Sequence, residues 1–367
     1  MEVETFTLAT PGVLEKLMEA GRIAQKAMDL AISKCVPEAD VHAVCKEVHE
    51  AIVTMSNKAF SKSKFEKGPA FPVCISLNDV AGHFCPLADE SVAMKEGDVA
   101  KIDLGVHLDG FPAVLAHTVV VGGAKTEDDK RLLSGGFNGL QVLLKSIGPG
   151  KVNHKATENM CKVLADYKVS PLEGVLSHEL GKYALNGEFC IGGSDSVEHQ
   201  VKLHEMRVNE IYALDVLVSE NPKEGKTKQS EMRTTCFKRN IDETYDLKTK
   251  MARAFLNDIK TNCHDFGFSI AFQKNQLEAR VGSSECLKTG HLEPFPVIQE
   301  KSKARAAHFK WTVAISNKRL ILLAGRTKLE FEMVPVSEGL MKNEDLKEML
   351  TEPLENWTKK KKNRKKK

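Results

Sequence analysis

Two aspartates stand inside apolar strand patterns, and an acid so placed must find a partner. The run Asp98-Val99-Ala100-Lys101-Ile102-Asp103-Leu104-Gly105-Val106 aligns with Glu210-Ile211-Tyr212-Ala213-Leu214-Asp215-Val216-Leu217-Val218. Each begins with an acid and carries an Asp five positions later, at Asp103 and Asp215. A carboxylate among apolar residues is costly unless it is paired, hydrogen-bonded or bound to a metal. Each run is followed by a second strand pattern bearing threonine, Thr118 in the first and Thr234 and Thr235 in the second. A duplicated half-domain explains the match and predicts that the two carboxylates meet at a pseudo-twofold axis. His107 and His117 lie on the same strands and read as core or pocket histidines rather than ligands.

The elements that must hold these residues follow from periodicity. Helical spacing predicts helices over 11–34, about 40–56, about 126–145, 152–166 and about 243–260. Strand patterns cover 71–78, 99–107, 112–121, 211–219, 233–239, 308–316 and 319–325, with Leu108-Asp109-Gly110 as a hairpin turn. Phe71-Pro72 reads as a strand entry. Residues between about 260 and 305 show no clear period.

Composition bounds the function. Hydrophobic residues make up 42% and charged residues 28% of 367 residues, enough for a large core. No apolar run reaches the roughly 20 residues of a membrane span, and the first 30 residues lack a secretory pattern. The nine cysteines are scattered without CxxC pairs, which predicts reduced thiols inside the cell and no zinc site. The net charge of +3 conceals a tail at 359–367, KKKKNRKKK, with eight positive charges in nine residues. Removing it leaves 45 Lys and Arg against 50 Asp and Glu, an acidic body of −5. Such a block is expected to stay disordered until it meets an anion, whether RNA, an acidic lipid surface or an import receptor. Nothing nearby is amphipathic enough to favour a membrane.

Several segments resemble the methionine aminopeptidase family: GPAFPVCISLN followed by HFCP, KIDLGVHLDGF, AHTVVV and GVLSHELGKY, and more weakly NEIYALDVLVS and AHFKWTVAI. They run in order from about residue 10 to 325. The resemblance implies the α+β pita-bread fold, with half-repeats over about 71–165 and 166–325. It also implies a helical insertion at about 241–305, similar to the type 2 branch, within one domain spanning 1–358. The closest likeness is to the proliferation-associated group, which includes the ErbB-receptor-binding protein and whose members lack peptidase activity. Family members use two metals held by five ligands. The ligand positions correspond to Asp103, Val114, His178, Asp215 and Lys310, and a substrate-contacting His corresponds to His83. A second active-site His falls on Asn186. Val114 has no donor atom, Asp215 is one methylene shorter than the family's Glu, and Lys310 replaces a bridging Glu. The expectation is therefore a vestigial pocket with no metal, no cofactor and no catalysis, in which Lys310 stands as counter-ion to Asp103 and Asp215. The alternative is a single-metal aminopeptidase using Asp103, His178 and Asp215.

With catalysis lost, binding surfaces must carry the function. Candidate RNA- and ribosome-binding residues are Lys58, Lys62, Lys64 and Lys67, then Lys248, Lys250 and Arg253, then the tail Lys359, Lys360, Lys361, Lys362, Arg364, Lys365, Lys366 and Lys367. No RNP motif, KH loop or zinc finger is present, and Trp311 and Trp357 are too isolated to form a stacking platform. Phosphate contact to structured RNA is the expected mode. The resemblance points to the large ribosomal subunit and its rRNA near the nascent-chain exit, to ribosome assembly or translation, and to a monomer in cytoplasm and nucleolus. A protein scaffold in transcription or growth signalling is the other alternative.

Overall fold

The computed structural model describes residues 7–194, 201–326, 329 and 344–352; the tail and Trp357 lie outside the described residues. Seven helices are described: α1 (Val13–Lys34), α2 (Val41–Lys58), α3 (Glu127–Ser146), α4 (Asn153–Asp166), α5 (Lys250–Asn262), α6 (Gln276–Lys288) and α7 (Glu344–Thr351). Local chemistry sets their starts. Asp40 caps α2 by accepting the Ala43 N–H at 2.8 Å, and Thr126 with Asp129 forms a reciprocal capping box at α3.

The strands are β1 (Lys67–Leu77), β2 (Val80–Gly82), β3 (Val99–Leu108), β4 (Phe111–Val120), β5 (Ser170–Pro171), β6 (Leu176–Glu179), β7 (Cys190–Gly192), β8 (Ile211–Ser219), β9 (Thr227–Gln229), β10 (Cys236–Arg239), β11 (Phe268–Ser269), β12 (Leu292–Phe295), β13 (Ile298–Glu300), β14 (Ala306–Ile315) and β15 (Leu320–Ala324). The largest sheet has nine strands in the order β1-β3-β4-β14-β8-β6-β7, with β15 beside β14 and β5 beside β8. Helices α1 and α2 lie against β1, β3 and β4, and α3 and α4 lie against β5, β7, β8 and β14. Every residue of β3 and β4 is buried, because both faces of these strands are covered. Ile102, Leu104 and Val106 enter the core under the helices. The alternate residues Asp103, Gly105 and His107 therefore face the other way, as strand geometry requires. The predicted hairpin turn is present, with Asp109 and Gly110 both at positive φ (55° and 76°), the type I′ arrangement that suits strand twist.

One expectation is corrected. The strand at 233–239 begins only at Cys236, and it does not pair with β8. It joins β11 and β12 in a separate sheet. The partner of β8 is β14, in register over nine residue pairs from Ala306↔Ser219 to Ala314↔Ile211. Thr312, rather than Thr234 or Thr235, is thus the counterpart of Thr118. The two threonines clamp the seam between the halves. Thr118 Oγ1 accepts from His308 N at 2.7 Å and donates to His308 O at 2.8 Å. Thr312 Oγ1 does the same to Val114 N and O, at 2.8 and 2.7 Å.

Residues 236–295 hold α5, α6 and a three-stranded sheet in the order β11-β10-β12 around a second core that includes Phe237, Phe255, Ile259 and Phe268. Helix α5 starts at Lys250 rather than near 243, because the Glu243 carboxylate turns the chain by accepting the Thr244 and Tyr245 N–H groups, and Thr249 is the cap. Helix α6 left little periodic signal: its apolar Leu277, Val281 and Leu287 are exposed.

Candidate functional site

Asp103, Ala116, Lys310 and Asp215 occupy one row across β3, β4, β14 and β8: Asp103 is paired with Ala116, Ala116 with Lys310, and Lys310 with Asp215. Ala116 is small, so the Lys310 side chain reaches across β4. Its Nζ donates to Asp103 Oδ2 at 2.9 Å and lies 3.2 Å from Asp215 Oδ2. The side chains of all three are largely buried, at 14%, 9% and 14% exposure for Lys310, Asp103 and Asp215. A charge withdrawn from water is tolerable only when paired in this way.

Sequence reasoning missed His308. Its Nε2 donates to Asp215 Oδ1 at 2.7 Å, completing that carboxylate's set. The signal was available, since His308 stands two residues before Lys310 on one strand and so shares its face. Burial works to raise the Asp215 carboxyl, but the charges of Lys310 and His308 outweigh it and hold it well below the usual range. Burial lowers Lys310, and the two aspartates more than reverse this, so it remains an ammonium far into the alkaline range. Asp103 keeps one buried oxygen, Oδ1, without a hydrogen-bond partner.

The other expected residues surround a cavity of about 330 Å³ whose walls include His83, Asp103, Val114, His178, Asn186, Asp215 and Lys310. His178, on β6, shares a hydrogen bond with Cys190 Sγ at 3.4 Å. Burial depresses its pKa; Asp215 opposes the shift and Lys310 adds to it. His83 sits at φ 65° in its turn and donates from Nδ1 to Pro296 O at 3.0 Å. The segment around the second core supplies part of the wall through Lys238, Asp265, Phe266 and Phe295. His107 and His117 pack elsewhere, 4.4 Å from the Phe266 ring and 5.4 Å from the Phe309 ring respectively. Burial, aided by His264, pushes His107 down to about 3.

A dinuclear metal centre does not fit these residues. Lys310 places a cation between the two aspartates, and Val114 offers only methyl groups where a carboxylate would be needed. Like charges a few ångströms apart repel by several kcal/mol even at an effective dielectric near 20.

The candidate basic residues form two separate groups. Lys58, Lys62 and Lys64 are exposed. Lys67 is half-buried and occupied, donating to the Ala59 and Phe60 carbonyls at 2.9 and 3.4 Å where α2 ends. Lys248, Lys250 and Arg253 are exposed at the start of α5, and Arg253 Nη1 also donates to Leu247 O at 2.7 Å. The contact of Glu66 with His264, 3.2 Å, sets the 58–67 loop beside the far end of α5. The two groups thus stand at opposite ends of a 13-residue helix, about 20 Å long. The tail begins beyond α7, where Lys145 Nζ donates to the Met349 and Glu352 carbonyls at 2.7 and 2.6 Å.

Comparison with known proteins agrees with this architecture. Residues 15–217 match Metallopeptidase family M24. The chain is 35% identical over 314 residues to ErbB-3-binding protein 1 of Arabidopsis thaliana, covering 84% of this chain and 79% of that one. It is 30% identical over 325 residues to Curved DNA-binding protein of Schizosaccharomyces pombe, covering 87% and 85%. The solved structure of a thermophilic Arx1 superposes with a TM-score of 0.81 at 22% identity, over 93% of this chain and 98% of that one. The fold is the pita-bread fold that the motifs implied. The chain belongs to metallopeptidase family M24, in the group that contains the ErbB-3-binding proteins.

Proposed function

We propose that this protein is a non-catalytic M24 member that binds structured RNA, with the large ribosomal subunit as its partner, and acts in ribosome assembly or translation. The observation that carries the loss of catalysis is the Lys310 ammonium bridging Asp103 and Asp215. It also disfavours a single-metal aminopeptidase, because the same two carboxylates are already neutralised in part. RNA binding rests on charge. A body of −5 carries an eight-charge tail, and two groups of exposed cations flank α5. A relative named for binding curved DNA supports recognition of duplex shape and phosphate rather than base edges. Residence in cytoplasm and nucleolus follows from that partner. Methionine aminopeptidases act where nascent chains emerge, and a relative that keeps the body while losing the chemistry would retain a docking surface there.

The test is sedimentation with purified large ribosomal subunits at rising salt, comparing the full chain with one ending at Thr358. Binding that falls steeply with salt and weakens without the tail is expected. No binding by either form at low salt would remove the ribosome from the proposal. A second reading, a protein-interaction scaffold, has in its favour the name of the ErbB-3-binding relative; it predicts partners retained after ribonuclease treatment.

A further inference from the structure

Some of the nine cysteines scattered along the sequence meet in space. Cys74 of β1 and Cys236 of β10 are buried with their sulfurs 3.7 Å apart, although 162 positions separate them. Cys85, also buried, packs in the same core as both. Three buried thiols, from β1, the turn after β2 and β10, therefore share one core, and two of them touch. Cys74 is the cross-strand partner of Asp103, and Cys236 Sγ donates to His83 O at 3.9 Å. The cluster thus lies directly behind the cavity wall, and Phe71, which lines the cavity, packs in the same core.

We infer that Cys74 and Cys236 form a reversible redox site: a small oxidant of the peroxide class converts them to a disulfide that staples the insertion to the central sheet. At 3.7 Å the sulfurs are already in van der Waals contact, so a modest side-chain rotation and closing of the gap reach the roughly 2.05 Å bond length. In the first step one sulfur attacks a peroxide oxygen, the O–O bond breaks, and water leaves once the thiol proton is transferred, giving a sulfenic acid. In the second, the other sulfur attacks that sulfenic sulfur and expels a second water. Two thiols and one hydrogen peroxide thus become one disulfide and two waters. A dithiol reductant reverses the change. Phe71 stands between the cavity and the pair, since it lines the first and packs in the core of the second. Cys190 and Cys263 instead meet nitrogen groups, of His178 and Gln273, at 3.4 and 3.9 Å.

The test uses the full chain, fully reduced, then exposed to hydrogen peroxide under native conditions, quenched by alkylation and mapped by mass spectrometry without reduction. One crosslink between the Cys74 and Cys236 peptides is expected, with nine alkylatable thiols falling by two and the loss reversed by dithiothreitol. Cys236→Ser should abolish the crosslink, while Cys85→Ser should retain it. Wild-type protein that keeps all its thiols, that stops at sulfinic acid, or that links Cys236 to Cys85 instead would overturn the assignment. The wild-type map decides this even if a variant folds poorly.

Discussion

Lys310 holds two buried aspartates together across the central sheet. Removing its charge leaves Asp103 buried without a counter-ion and Asp215 with His308 alone, so Lys310→Met should destabilise the protein by about 3–5 kcal/mol, read from urea unfolding at neutral pH. The pH dependence gives a sharper test. The Asp215 carboxyl is depressed in the folded state, so its contribution is present above about pH 4 and is lost as pH falls towards its folded value. Lys310 is raised, so its contribution is present below about pH 10 and is lost as pH rises through its folded value. In Lys310→Met the Asp215 carboxyl loses the larger of the charges that depress it. Its folded pKa should rise, and the variant's deficit should shrink as pH is lowered from 7 towards 4. A deficit that grows on acidification would contradict the pairing. The substitution Lys310→Glu asks whether the ammonium stands in for a metal. It should bind manganese more tightly than wild type by calorimetry, and no gain would count against that account.

The seam between the halves belongs to whole strands rather than to single groups. Only one residue pair, Lys310 and Ala116, is in ladder register between β4 and β14, and a threonine clamps the seam on each side of it. Thr118→Val and Thr312→Val each remove a hydroxyl that both donates and accepts. Each should cost about 1–3 kcal/mol, because a buried backbone group is left unsatisfied. The double variant should depart from additivity, since both clamps hold the same pair of strands. Independent, additive costs in a double-mutant cycle would mean that the two clamps do not act together. The same seam carries Lys310 and His308, so the Thr312 variant should also weaken the salt-bridge row.

For the whole molecule, charge distribution is the quantity that matters. Counterion release predicts that the logarithm of RNA affinity falls with the logarithm of salt, with a slope of about 0.9 for each phosphate contact. Replacing Lys58, Lys62 and Lys64 together by alanine should lower that slope by about 2 to 3 while leaving the unfolding midpoint in place, since these side chains are exposed. Lys67→Ala should behave differently: it should cost stability, because its ammonium caps the end of α2, and should change the slope little. A filter-binding titration on structured RNA, run beside thermal unfolding, separates the two outcomes. Equal slope changes for Lys67 and for the exposed lysines would undo the distinction.

Helices α1 to α5, the β3-β4 hairpin and the presence of a carboxylate on each of two apolar strands were legible along the chain, whereas α6 and α7 were not. Amphipathic period, capping residues and turn chemistry are local properties, and they survive whatever the rest of the chain does. The basic tail was equally plain, as a matter of composition. Strand partnership was not. Thr234 and Thr235 follow Asp215 closely, yet β8 pairs with β14, some ninety residues on, because the intervening chain folds around a core of its own and hands the seam to Thr312. Which groups surround a buried charge was also hidden. Lys310 reaches Asp103 only because Ala116 leaves the space between them, and His308 reaches Asp215 only across a strand pair formed at long range. The gathering of Cys74, Cys85 and Cys236 has the same origin, since pairing and packing set distances that spacing along a chain does not record.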